Sequence, residues 1–157
     1  MCFRSRVWWC GKRVDNKNKD EFDKPIGARS FPVADFLGIS FSRPSEGLVV
    51  AQMRAQSHHR NPMGTLHGGI LCDLADAAMG VAFASTLSAG ESFTTLELKI
   101  NFLRPVWDAL LTAEAQVVSR GRTVGMAECK IMDEKNRFIA KATSTCMVLA
   151  GEAAKNR

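Results

Sequence analysis

Several common signals are absent from this 157-residue chain. No apolar run approaches the length that spans a bilayer, so a membrane protein is not expected. The five cysteines (2, 10, 72, 129 and 146) are odd in number and show no CxxC spacing. They read as free thiols of a reducing, cytoplasmic compartment. The three histidines, His58, His59 and His67, do not make a zinc signature, and neither a metal nor an organic cofactor is expected. There is no internal repeat.

Charge excludes another class. The net charge is +5, but residues 1–24 hold seven Lys/Arg against four Asp/Glu, leaving 14 against 12 for the remainder. A body so close to neutral is no nucleic-acid binder. The leader MCFRSRVWWCGKRVDNKNKDEFDK faintly resembles an organelle transit peptide, yet its acids spoil the match. The expectation is a disordered N-terminal extension over 1–30, one folded domain over 31–150 and a C-terminal tail over 151–157. With 46% hydrophobic residues, the chain is long enough for one proper core.

Residues 31–40, FPVADFLGIS, read as a short helical turn ending at Gly38. GLVVAQMRA, 47–55, is rich enough in β-formers for a first strand, and SHHRNPMG, 57–64, is turn-prone. From Gly68 to about Leu87, Ile70, Leu71, Leu74, Ala77, Ala78, Val81 and Ala82 recur at helical spacing. Period two follows, with Leu96, Leu98, Ile100 and Phe102 alternating against Thr95, Glu97, Lys99 and Asn101 up to Pro105. Strands over 109–120, 123–132 and 137–149 are joined by turns, which favours an antiparallel meander. The expected fold is α+β: one long central helix against an antiparallel sheet of five to six strands.

The stretch NPMGTLHGGILCDLADAAMG, residues 61–80, holds the chemistry. Two glycines at a helix start leave backbone N–H groups open to a carbonyl oxygen that gains negative charge. Glycine also starts many helices for packing alone. Asp76 lies ~12 Å along the helix from Gly68, too far to reach a carbonyl held there. A second copy of the helix, antiparallel across a two-fold axis, brings Asp76 of one subunit to Gly68 of the other. A carboxylate among Leu74, Ala75, Ala77 and Ala78 is costly to bury unless paired or used.

Asn61, then His67-Gly68-Gly69, then Asp76, together with FTTLELKINFLRP, resemble the hotdog-fold acyl-CoA thioesterases of the phenylacetate-pathway (PaaI-like) group. The resemblance covers about residues 31–149 and implies roles position by position. The Gly68 N–H polarises the thioester carbonyl, and Asp76 from the partner subunit is general base or nucleophile. Asn61 orients thioester or water, His67 holds the loop and Asn61, and Thr95 offers a hydroxyl near the attacking water. Arg120-Gly121-Arg122-Thr123 matches a turn that lies near CoA phosphates, with Arg104 a second candidate. A solvated turn and an exposed edge charge account for both equally well. Asp73 reads as a capping or solvent-facing residue, Cys72 lacks a base to make it a nucleophile, and Glu97 and Glu128 read as outward strand residues. Related naphthoyl- or hydroxybenzoyl-CoA enzymes often carry Glu at the Asp76 position, so Asp favours the PaaI-like group. The implied partners are an acyl-CoA substrate and a second copy, in a homodimer or homotetramer. The alternatives are an acyl-CoA-binding module without catalysis and an enoyl-CoA hydratase, whose Asp–His pair along one helix is not reproduced here.

Overall fold

The computed structural model describes residues 31–155. The expected extension over 1–30 lies outside the described residues, as do the last two positions of the expected tail. Pro32–Leu37 form α1, closed by Gly38 in the left-handed conformation (φ 68°), where a Cβ is disfavoured. Strands β1, Ser40–Ser45, and β2, Leu48–Arg54, follow. After a 3-10 turn at Ser57–His59 comes α2, Gly68–Ala84. Then come β3, Glu91–Phe102, β4, Leu110–Arg120, β5, Val124–Asp133, and β6, Phe138–Ala150. A last turn of helix, α3, spans Glu152–Lys155 within the stretch read as a tail, and it packs on β6 and β3.

The six strands form one antiparallel sheet in the order β1-β2-β4-β5-β6-β3. The meander expected over the last three strands is present as β4-β5-β6. Its β5–β6 turn is set by Asp133, whose carboxylate accepts the Lys135 and Arg137 backbone N–H groups and the Arg137 guanidinium. Strand β3 lies beyond β6 at the far edge, although β4 follows it in sequence. Strand β1 occupies the other edge. Its SFSRPS sequence carries no β alternation, and an edge is where a strand tolerates proline.

Helix α2 touches every strand from β2 to β6. Close approach is possible because small residues meet on both sides. Ala75, Ala78 and Ala82 of the helix and Ala51, Ala113, Ala115, Ala127 and Ala142 of the sheet are all essentially inaccessible to solvent. The helix stops at Ala84, three residues short of the expected Leu87. There the Ser85 and Thr86 hydroxyls donate to the Ala82 and Phe83 carbonyls, and Ser85 Oγ also accepts the Gly47 N–H.

Ala113→Leu adds three carbons at a fully buried position of β4, in the core that the helix shares with the sheet. We expect a loss of about 1–3 kcal/mol in urea unfolding; an unchanged midpoint contradicts this account of the helix–sheet contact.

Candidate active site

The start of α2 is built by His67. As N-cap residue it turns its Nδ1 back to accept the Gly69 N–H at 2.9 Å, while its own N–H donates to the His59 carbonyl. Ile70 N–H bonds the His67 carbonyl. The Gly68 N–H is left with no partner among the described residues, at the positive end of a 17-residue helix. A Cβ on Gly68 would lie 3.1 Å from Cζ of Phe102, so glycine here lets that ring rest on the helix start.

His67 therefore serves the helix rather than Asn61. The Asn61 side chain is held by its own loop: Oδ1 accepts the Met63 and Thr65 N–H groups, and Nδ2 donates to Thr65 Oγ1 at 2.9 Å. Thr65 was not singled out in the sequence, although an Asn four residues before a Thr in a turn is a recognisable local clasp. His59 was also passed over. It is buried, its Nδ1 accepts the Gln56 N–H, and burial followed by the neighbouring His58 lowers its pKa.

Asp76 projects from the one stripe of α2 that the sheet leaves open, with Gly69, Cys72, Asp73 and Gly80. The Thr95 hydroxyl donates to Asp76 Oδ1 at 3.5 Å. The alternation read from sequence sets Thr95 on the face of Glu97 and Lys99, away from Leu96 and Leu98. The structure corrects this. Thr95 pairs with Cys146 and Glu97 with Thr145, so Leu96 is an extra residue in a β-bulge. The bulge exposes Leu96 and moves the pattern by one, so Thr95 joins Leu98 and Ile100 on the helix side.

Asp76 is open to solvent in the single chain, yet the protein around it already displaces water. That desolvation pushes its carboxyl above the ordinary range, the Thr95 hydrogen bond opposes the rise, and Asp73 adds to it. Burial, then Asp73 and Asp76, all push the Cys72 thiol up, which disfavours its thiolate.

The remaining expected residues lie elsewhere. Arg120 forms an ion pair with Glu91 at 2.7 Å, bonds the Gly121 carbonyl, and sits 5.6 Å from the Phe83 ring centre. Gly121, Arg122 and Thr123 are exposed beside it, at the C-terminal end of α2. Arg104 is exposed just beyond β3. Phe83 is fifteen residues from Gly68, or about 22 Å along the helix. The Arg120 turn and Gly68 of one chain are therefore far apart. Among the described residues no group of three or more His, Cys, Asp or Glu could hold a metal, and no helix is long and apolar enough to cross a membrane.

Residues 63–140, which include the helix start, Asp76 and Thr95, match the profile of the Thioesterase superfamily. The Escherichia coli PaaI protein of the phenylacetic acid degradation operon is 30% identical, covering 76% of this chain and 85% of its own, with a TM-score of 0.70. The chain belongs to the thioesterase superfamily. The Haemophilus influenzae thioesterase HI1161 superposes with a TM-score of 0.72 at 29% identity, over 77% of this chain and 85% of its own. A 1,4-dihydroxy-2-naphthoyl-CoA hydrolase of Listeria monocytogenes is 29% identical over 71% of this chain and 91% of its own length. The helix inside its antiparallel sheet is thus a hotdog fold, and this thioesterase is a thioester hydrolase.

A raised carboxylate pKa is a stability cost with a defined pH window. The penalty is present above the folded pKa and disappears as pH falls below the ordinary carboxylate value. Asp76→Asn should therefore unfold at the same or a higher temperature than wild type at pH 7–8, with the difference vanishing at low pH. A clear loss of thermal stability at neutral pH contradicts this electrostatic reading.

Proposed function

We propose that this thioesterase hydrolyses acyl-CoA at two composite sites of a homodimer. The observation that carries the reading is the separation, on one rigid helix, of an unpartnered Gly68 N–H from the perturbed carboxylate of Asp76. Strand β3 supports it. It runs beside α2 in the reverse direction, with Phe102 at Gly68, Thr95 at Asp76 and Phe93 at Gly80. It is also a 12-residue edge strand, and a long unpaired edge invites another strand. Antiparallel pairing of two copies of β3, with Thr95 opposite the partner's Phe102, brings Asp76 beside the partner's Gly68. Two-fold symmetry then makes both sites alike.

In such a site the Gly68 N–H donates to the thioester oxygen and stabilises the charge that develops there. Asp76 accepts a proton from water, whose oxygen attacks the carbonyl carbon. The C–S bond breaks, and the departing CoA thiolate takes the proton back from Asp76. The same carboxylate can instead attack the carbonyl carbon directly, breaking the C–S bond and releasing CoA thiolate; water then cleaves the resulting anhydride to the acyl acid and Asp76, whose proton goes to the thiolate. Asn61 and Thr95 orient thioester and water, and His67 keeps the Gly68 donor free by occupying Gly69. No metal or organic cofactor takes part.

For the CoA moiety we propose Arg104 and the turn of Arg120, Gly121, Arg122 and Thr123. That turn lies past Asp76 along its own helix, so it serves the site its own Asp76 completes. Arg120 is already engaged by Glu91, so Arg122 is the turn's guanidinium most open to a phosphate. We place the protein in the cytoplasm.

Release of free CoA thiol from a panel of aryl-acetyl and aliphatic acyl-CoA compounds tests the proposal. Asp76→Ala and Asp76→Asn should each lower kcat about 10²–10⁴-fold. Equal rates in all three proteins refute the role of Asp76. Binding of acyl-CoA without hydrolysis by wild type favours a binding module.

A further inference from the structure

The groups that the proposed site brings together are small or polar, with one exception. The open stripe of α2 offers Gly69, Cys72 and Asp73 around Asp76, and the loop before it offers Asn61. Phe102 is the bulky apolar side chain beside them. Its ring is aimed tip-first at Gly68: a Cβ on that glycine would lie 3.1 Å from Cζ and 3.5 Å from each Cε. The contact is already closed, with no room for a methyl group between ring and helix start. The rest of the ring is open. Phe102 is 53% exposed and forms no aromatic pair among the described residues.

The strand pairing of the proposed dimer places this ring further. The bulge at Leu96 turns Thr95 to the helix side of β3, the side that Phe102 also faces. Directly opposed side chains on one face of an antiparallel pair have Cβ atoms about 4.5–5.5 Å apart. Phe102 then stands next to the partner's Thr95, whose hydroxyl reaches the partner's Asp76. The ring borders both halves of one site, the donor of its own subunit and the carboxylate side of the other. A thioester oxygen bonded to the Gly68 N–H has the acyl α-carbon only two bonds away, within the space that the ring closes.

We propose that Phe102 is a specificity-determining residue that limits bulk at the acyl α-carbon. An unbranched α-carbon passes the ring; a branched one meets it. Phe102 takes no part in proton transfer or bond breaking. The inference rests on the proposed function, because in a single subunit the ring borders Gly68 alone. Phe93 is the internal comparison. Its ring lies where a Cβ on Gly80 would be 3.6 Å away, and it packs on Phe83 at 5.3 Å between ring centres. Gly80 is one turn past Asp76, about 6 Å farther along the helix.

The experiment compares kcat/KM for an acyl-CoA and its 2-methyl derivative in the full-length protein. Phenylacetyl-CoA is paired with 2-phenylpropanoyl-CoA, and hexanoyl-CoA with 2-methylhexanoyl-CoA, each ratio divided by that of their hydroxide rates. Wild type should favour the unbranched member about 10-fold or more, the scale of one methylene in a closed pocket. Phe102→Leu and Phe102→Ala should each reduce that preference about 10-fold, and Phe93→Leu should leave it unchanged. A weakened interface slows both members of a pair alike, so the ratio separates a wall from a mere support. No preference in wild type, a preference that survives both Phe102 substitutions, or one lost equally in Phe93→Leu overturns the proposal. Should Phe102→Ala not fold or dimerise, Phe102→Leu decides by the same ratio. Should no acyl-CoA be hydrolysed, the proposed function fails and the same pairs are compared by Kd. A binding preference relieved in Phe102→Leu then supports this inference, and its absence overturns it. Hydrolysis without the preference upholds the function and refutes the inference.

Discussion

An α-helix is a rigid ruler, and on α2 it holds the Gly68 N–H and the Asp76 carboxylate about 12 Å apart. Everything around the helix keeps those two groups usable. His67 consumes the Gly69 donor and leaves that of Gly68 open. The alanine-lined sheet buries the rest of the helix and leaves one stripe uncovered, with Asp76 at its middle. The desolvation that stripe already suffers is a cost to the fold. The role proposed for Asp76 as base or nucleophile accounts for a carboxylate kept there against that cost.

The edge strand β3 is the second half of the arrangement. Its bulge at Leu96 lets one strand present Thr95 to Asp76 and, seven residues on, Phe102 to Gly68. Without the extra residue, Thr95 would face outward with Glu97. The two contacts mark the ends of the segment that must face its counterpart for two such helices to share their groups. A single local irregularity thus links the sheet's register to the geometry of the site.

The helix was legible because its apolar residues repeat at three and four, and β4 to β6 because Arg120–Arg122 and Asp133–Asn136 are strong turn formers. Strand β1 was not, since its serines and Pro44 give no alternation. That β3 crosses to the far edge is also invisible locally: sheet order is decided by long-range pairing. The same holds for the bulge, which a strict period-two reading of Leu96 conceals. Among site residues, the Gly-Gly start and Asp76 stood out as residue types out of place. The clasp of Thr65 on Asn61 and the commitment of Arg120 to Glu91 depend on side-chain geometry that spacing does not carry.

Subunit complementation tests the shared site most directly. Gly68→Pro removes the N–H at a position where proline suits a helix start, His67 (φ −64°, ψ 135°) already has the backbone that precedes proline, and the added Cβ, 3.1 Å from Cζ of Phe102, requires that exposed ring to give by a few tenths of an ångström. Gly68→Pro and Asp76→Asn homodimers should each be inactive. Unfolded together in equal amounts and refolded, they should regain about a quarter of wild-type activity, since half the dimers carry one intact site. Activity no greater than the sum of the two separate proteins contradicts a site built from Gly68 of one subunit and Asp76 of the other.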